Sequence, residues 1–381
     1  MKVLHICVTG PYTDGFNYQE NLLTKYQVKA GHDVYIIASE WQWEKGNIVK
    51  YQGKSKYNNL DGVHIIRLPI KNGKDVFYRF KRFIGFLEAI DEIQPDTIFI
   101  HNLQFFDIDK IQQYAKKHSI RIFADNHADF SNSARNRLAL LFYKTIWRHE
   151  ARLIEPYTLK FYGVLPARVD FLKNVYGLPE IKCELLVMGA DDEEVEKASK
   201  SERIQKTKQE LGFNNEDFII VTGGKIDAWK KQTFLLMRAI LEIQKTNLKL
   251  LIFGPVSEDI KSEFERNFDY KCMKYVSWAN SEQAYQFFAI ADLVVFPGRH
   301  SVYWEQAAGQ GKPMLCKYWK GTTHIDIGGN VKFLMEDSVE EIRDSLISCI
   351  DNGAVYQHML KVAMEGKEKF SYKRIAAMSI E

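Results

Sequence analysis

Short apolar, β-rich runs alternate with amphipathic stretches along the whole chain. In the first half, KVLHICVT (2–9), HDVYIIAS (32–39), VHIIRLP (63–69), TIFIHN (97–102) and IRIFADNH (120–127) read as strands. FYGVLP (161–166) and ELLVMG (184–189) read as the last two strands of that half. Helical periodicity predicts helices over about 19–30, 76–92 and 107–118, and the stretch between residues 40 and 62 is polar and irregular. Strands separated by helical stretches predict βαβ units and a mostly parallel sheet.

A polar, charged run, DDEEVEKASKSERIQKTKQE, interrupts this rhythm after residue 190 and reads as a linker with an exposed helix. The alternation then restarts. FIIVTGG (218–224), LKLLIFG (248–254), KYVSW (274–278), DLVVFP (292–297), PMLCKY (313–318) and VKFLM (331–335) are the strands, with helices near 231–244, 281–290 and after Glu305. The expected organisation is an α/β chain of two doubly wound, Rossmann-like domains facing across a cleft. Residues 1–190 form the first, 191–370 the second, and 371–381 a terminal segment returning to the first.

Composition agrees with a folded chain of two domains: 381 residues, 46% hydrophobic and 27% charged. The five cysteines are scattered without CxxC spacing, which predicts reduced thiols in a cytoplasmic location and argues against a zinc site or a disulfide scaffold. No apolar run is long enough to span a membrane. The net charge of +3 is too small to imply nucleic acid. Basic residues nonetheless cluster in KNGKDVFYRFKRF (71–83) and RNRLALLFYKTIWRHEARLIEPYTLK (135–160), where they alternate with bulky apolar ones. Two readings are open: a solvated helix face, or a surface that approaches anionic lipid headgroups or a lipid-linked acceptor.

The segment VTGGKIDAWKK (221–231) is a strand followed by a glycine turn and two lysines, Lys225 and Lys230, five residues apart. Gly223 and Gly224 permit close backbone approach, and both ammonium groups can converge on one diphosphate. A pair of solvated surface lysines is the alternative. The segment DLVVFPGRHSVYWEQAAGQGKP (292–313) is a strand, an irregular loop and a helix start. Glu305 there is either a bidentate acceptor for ribose hydroxyls or a favourable first-turn charge. Arg299, His300 and Ser301 are donors able to meet phosphate or sugar hydroxyls.

In the first half, GPYTDGFNYQE (10–20) follows the first strand; either Gly10 and Gly15 let backbone amides approach a ligand, or the segment is a solvent-facing βα loop. His127, ending a strand, can donate to a sugar hydroxyl or polarise a reacting group, with Asp125 or Asp129 orienting its ring. His101 and Asn102 end the neighbouring strand, whereas His5 and Cys7 read as packing residues. Neither GxGxxG after the first strand nor GxxxxGK[ST] anywhere is present.

The order of these segments resembles retaining GT-B fold glycosyltransferases of family 4. Gly224, Lys225 and Lys230 match that family's Gly-Arg-…-Lys pattern, with Lys in place of Arg. Glu305 through Gly311 and Pro313 match its EAMAxGxPV helix opening. GHDV (31–34), GADDEEV (189–195) and FSYKRIA (370–376) match three further elements. One departure is clear: the acid the family carries eight residues before Glu305 is Pro297 here, so the resemblance leaves sugar contacts to His300 or Ser301.

The resemblance implies transfer of a sugar from a nucleotide-diphosphate sugar, a UDP-sugar, to a glycan or lipid-linked glycan in cell-surface polysaccharide biosynthesis. His127, Lys225 and Lys230 would serve the chemistry. Gly15, Gly224, Lys225, Lys230, Arg299, His300, Ser301 and Glu305 would bind the donor. It further implies no tightly bound cofactor and metal independence, while the basic, apolar-interleaved segments 71–83 and 135–160 motivate peripheral contact with an anionic membrane on its cytoplasmic face. The alternatives are another GT-B activity, such as a sugar-nucleotide epimerase, and a sugar-nucleotide-binding subunit with impaired catalysis.

Overall fold

The computed structural model describes residues 1–71, 81–228 and 231–381. The chain divides into two units: Met1–Val187 with Ile375–Glu381, and Met188–Arg374.

The first unit contains β1 (Lys2–Cys7), β2 (Asp33–Ser39), β3 (Trp41–Glu44), β4 (Asn47–Lys50), β5 (Lys56–Asn58), β6 (His64–Leu68), β7 (Thr97–His101), β8 (Arg121–Asn126), β9 (Thr158–Gly163) and β10 (Cys183–Leu185). Its main sheet has the order β10-β9-β8-β7-β1-β2-β6-β5, parallel throughout except for β5. Both faces are covered. Leu4 and Ile6 of β1 join Ile98, Ile100 and Ile122 against the helices Phe86–Ile93 and Ile108–Lys117. Cys7 joins Val34, Ile36 and Ile65 in a separate cluster with Tyr12. This two-sided burial explains why the strands read as continuous apolar runs.

The second unit contains β11 (Phe218–Gly223), β12 (Leu248–Phe253), β13 (Met273–Val276), β14 (Leu293–Phe296), β15 (Met314–Lys317) and β16 (Val331–Leu334). They form one wholly parallel sheet in the order β13-β12-β11-β14-β15-β16. Ile220, Leu250, Ile252, Leu293 and Leu315 pack in one core with Phe234 and Ile240 of the helix Gln232–Ile243 and Ile342 and Leu346 of the helix Val339–Asp351. In each unit the chain winds outward from a central strand in one direction and then in the other. The order reverses between β1 and β7 in the first sheet and between β11 and β14 in the second. Strand-end loops diverge at such switch points and leave room for a ligand.

Several expectations require correction. The helix expected over 76–92 falls partly on residues 72–80, outside the described residues; the helix begins at Phe86 because Gly85 holds a left-handed φ of 74°. The strand expected at 161–166 is Thr158–Gly163, since Pro166 starts the helix Pro166–Asn174. The polar stretch after residue 40 contains the antiparallel hairpin β3–β4. The charged run after residue 190 forms two helices, Asp192–Ala198 and Ser201–Leu211.

The ends of the second unit meet. Ala190 N donates to Phe370 O at 2.7 Å, and Tyr372 N donates to Ala190 O at 3.2 Å. Gly309 lies against this junction, where a Cβ would sit 2.6 Å from Ala190 Cβ. GADDEEV and FSYKRIA are therefore adjacent in space.

Candidate functional site

In the second unit, β11 runs into Gly223 and Gly224, and β12 into Gly254. These turns touch: Gly224 N donates to Phe253 O at 3.0 Å, and a Cβ on Gly254 would lie 2.3 Å from Gly224 O. Gly224 and Gly254 have φ of 117° and 118°, conformations that L side chains rarely adopt. Lys225 follows, exposed, with Nζ 3.7 Å from Asp227 Oδ2. Lys230 lies outside the described residues.

The loop after β14 carries exposed Arg299, then His300 and Ser301, and leads into the helix Tyr303–Gly309. Glu305 is completely buried. Its Oε1 accepts from His300 Nε2 at 2.7 Å and from His324 Nε2 at 2.8 Å. Burial favours the neutral acid, but the two imidazoles outweigh it and hold the Glu305 carboxyl at about 2. Ser301 Oγ, Glu305 Oε2 and His324 Nδ1 are buried without a hydrogen-bond partner. Buried polar atoms of this kind are ones that a polar ligand or ordered water would satisfy. His300, Glu305 and His324 are also the one group of metal-type donors among the described residues. Both nitrogen–oxygen separations are hydrogen-bond distances, and the carboxylate acts here as acceptor for two N–H groups.

Sequence reasoning missed His324. It lies in the loop GTTHIDIGGN, whose only local signal is its glycines and one histidine.

In the first unit, a cavity of about 280 Å³ opens at the β1/β7 switch point, lined by Cys7, Thr9, Gly10, Tyr12, Glu20, His101, Asn102 and His127. His127 Nε2 is 3.6 Å from Asp125 Oδ2, and His127 N donates to Asn102 Oδ1 at 2.9 Å. Asn102 holds a left-handed φ of 65°, an unusual conformation for a residue with a side chain. Asp125 rather than Asp129 faces the ring, because Asp129 accepts from Ser131 and Arg168. Buried Asp125 also accepts from His101 Nδ1 and Asn102 N, both at 2.9 Å. Burial pushes its pKa up, but His101 and His127 hold it well below the usual carboxylate range. Gly15 lies in the exposed loop before the helix Gln19–Lys29, with φ 72° and open space around it.

Lys81, expected on a basic surface as part of the run 71–83, is instead buried. Its Nζ donates to the carbonyl oxygens of Val8 and Thr9 at the end of β1, and burial lowers its pKa to about 7. It lines a second cavity of about 640 Å³ with Gln104, Asn132, Asn136, Leu138, Phe142 and Tyr143. The helix Arg137–Phe142 beside it buries no residue, and Leu138, Leu141 and Phe142 are exposed. No helix among the described residues is long and apolar enough to cross a membrane.

No protein-family model and no curated protein matches the sequence. Solved structures do match the fold. A glycosyltransferase from Rickettsia africae superposes with a TM-score of 0.69 at 12% identity, covering 99% of this chain and 96% of that one. HepE from Anabaena, solved with UDP and glucose, gives 0.64 at 13% identity, with 99% and 98% covered. The UDP-GlcNAc 2-epimerase from Neisseria meningitidis, bound to UDP-GlcNAc, gives 0.63 at 12% identity, with 99% and 98% covered. The chain has the GT-B fold of such glycosyltransferases, with two doubly wound, Rossmann-like units in one polypeptide.

Proposed function

We propose that the protein is a glycosyltransferase that moves a sugar from a nucleotide-diphosphate sugar, a UDP-sugar, to a glycan or lipid-linked glycan of a cell-surface polysaccharide. The observation that carries this reading is that the Gly224–Lys225 turn follows β11 and the loop carrying His300 and Glu305 follows its neighbour β14, at the switch point of the second sheet, with His324 bonded to Glu305. One offers close backbone approach and a cation for a diphosphate. The other offers unused buried polar atoms for the sugar or ribose. HepE, with the same fold, was solved with UDP and glucose, which supports a uridine nucleotide.

In this reading Lys225 and Lys230 bind the diphosphate and stabilise the charge that grows on it as the bond to the sugar breaks. The acceptor hydroxyl forms its new bond from the face the diphosphate leaves, so configuration is retained. Its proton passes to a phosphate oxygen, and no metal or cofactor takes part. Arg299, His300 and Ser301 meet the phosphate and sugar. Glu305 orients His300 through Oε1, and its unused Oε2 is available to a ribose hydroxyl. His127 contacts the reacting sugar, and Gly15 lets its loop approach the donor. Exposed Leu138, Leu141 and Phe142, flanked by Arg135, Arg137 and Lys144, suit peripheral contact with the cytoplasmic face of an anionic membrane.

The test is binding, hydrolysis and transfer with a panel of UDP-, GDP- and ADP-sugars. Binding with transfer or slow hydrolysis is expected for one nucleotide class. Folded protein that binds none of them would overturn the reading, and epimerisation of the donor without transfer would replace it with a sugar-nucleotide epimerase.

A further inference from the structure

A continuous line of buried hydrogen bonds runs from the His127 cavity through the first unit to the end of the chain. Asp125 Oδ2 pairs with His101 Nδ1 at 2.9 Å, and His101 Nε2 with His5 Nδ1 at 2.9 Å. His5 Nε2 pairs with Gln27 Oε1 at 2.6 Å, and Gln27 Nε2 donates to Ser379 Oγ at 3.1 Å. Ser379 Oγ donates to Ala376 O at 2.8 Å. His5, Gln27, His101, Asp125 and Ser379 are all buried.

The proton positions follow from one end. Since the Ser379 hydroxyl proton goes to a carbonyl, its oxygen must accept, which turns the Gln27 amide nitrogen toward it. Gln27 then presents its carbonyl oxygen to His5, so His5 Nε2 carries a proton. A neutral His5 accepts at Nδ1, which requires a proton on His101 Nε2. The Asp125 carboxylate requires another on His101 Nδ1. We infer that Ser379, acting through Gln27 and His5, fixes His101 as a buried imidazolium and thereby keeps Asp125 a carboxylate facing His127. Ser379, Gln27, His5 and His101 are positioning residues for the His127 cavity, although Ser379 is separated from Gln27 by 352 positions.

The electrostatics of the surroundings agree. Burial, then His101, pushes His5 down to about 3, so His5 is the neutral member. Burial opposes charge on His101, but the Asp125 carboxylate hydrogen-bonded to it outweighs this and raises its pKa well above the ordinary histidine value; Cys7 beside it is a neutral thiol whose own pKa burial pushes up. The titratable groups around His101 are His5 and Cys7 on β1, Glu20 on the following helix, and Asp125 and His127 at the end of β8. The tail is held by other bonds as well: Tyr162 donates to Met378 O and Arg121 to Ile380 O. Removing the Ser379 hydroxyl therefore leaves the segment attached.

The catalytic consequence rests on the transferase reading, whereas the charge assignment does not. The test is NMR of the full-length chain with isotopically labelled histidine rings, His101 being assigned by its loss in His101→Gln. In the wild type, both ring nitrogens of His101 are expected to carry protons from about pH 6 to 8, and His5 to be neutral with its proton on Nε2. Ser379→Ala is expected to lower the His101 midpoint by about one pH unit or more, and Ser379→Thr to restore it. A neutral His101 in the wild type, or an unchanged midpoint in Ser379→Ala, would overturn the inference. Should Ser379→Ala fail to fold, Gln27→Met removes the acceptor for His5 without altering the tail and is judged by the same criterion. A shifted midpoint in a protein that transfers no sugar would retain the charge relay and remove only its catalytic meaning.

Discussion

Glu305 and His324 meet at 2.8 Å although 19 positions separate them, and the carboxylate has no exposure to solvent. Because the folded-state value of about 2 lies below the ordinary 4.5, this group stabilises the fold above pH 4.5. That contribution, roughly 3 kcal/mol, is lost as the pH falls toward 2. Glu305→Gln is expected to lower stability near neutral pH by about 2–4 kcal/mol and to flatten the acid limb. Denaturant unfolding at several pH values measures both; equal acid limbs in the two proteins would refute the assignment of this stability to the Glu305 carboxylate.

Lys225 is exposed, so Lys225→Ala should leave stability unchanged. Its affinity for UDP should fall about tenfold by calorimetry if the ammonium meets the diphosphate. Lys230→Ala is expected to weaken donor binding and transfer together. Unchanged affinity and rate in either variant would remove that lysine from the phosphate role.

Gly254 has no room for a side chain, since a Cβ would lie 2.3 Å from the backbone oxygen of Gly224 and φ is 118°. Gly254→Ala is expected to cost about 2–4 kcal/mol and to disturb the Gly224–Lys225 turn. Thermal unfolding and UDP titration should both register the change, and a silent substitution would mean that the two turns are free to separate.

Leu138 and Leu141 are exposed on a helix with no buried residues. The double variant Leu138→Glu, Leu141→Glu should unfold at the wild-type temperature but bind vesicles containing anionic lipid several-fold more weakly. Equal co-sedimentation of the two proteins would remove this face from membrane contact.

The doubly wound strands were legible because buried parallel strands are apolar on both faces, as in KVLHICVT and FIIVTGG. The hairpin β3–β4 was not: Trp41–Glu44 and Asn47–Lys50 are short and only partly buried, so neither burial nor periodicity announces them. Gly85 stopped a helix that apolar spacing alone would have extended. The loop around Glu305 was legible from its glycines and charges. His324 was not, since only tertiary packing brings its loop to the carboxylate. His5 looked like a core residue and is one by burial, yet it passes hydrogen bonds on both sides, a role that its place in an apolar strand conceals.

The bonds from Ala190 to Phe370 and Tyr372 have a topological consequence. The first unit is built from two distant pieces of chain, and the second is a single uninterrupted stretch. That stretch starts and finishes at one point, as an insertion does when it leaves its host unbroken. Its own cross-link at the base closes the loop without help from the flanking residues. A fragment spanning 188–374 thus retains every strand of its sheet and both halves of its closing contact. The half of the molecule that carries Lys225 and Glu305 is a natural unit for expression by itself.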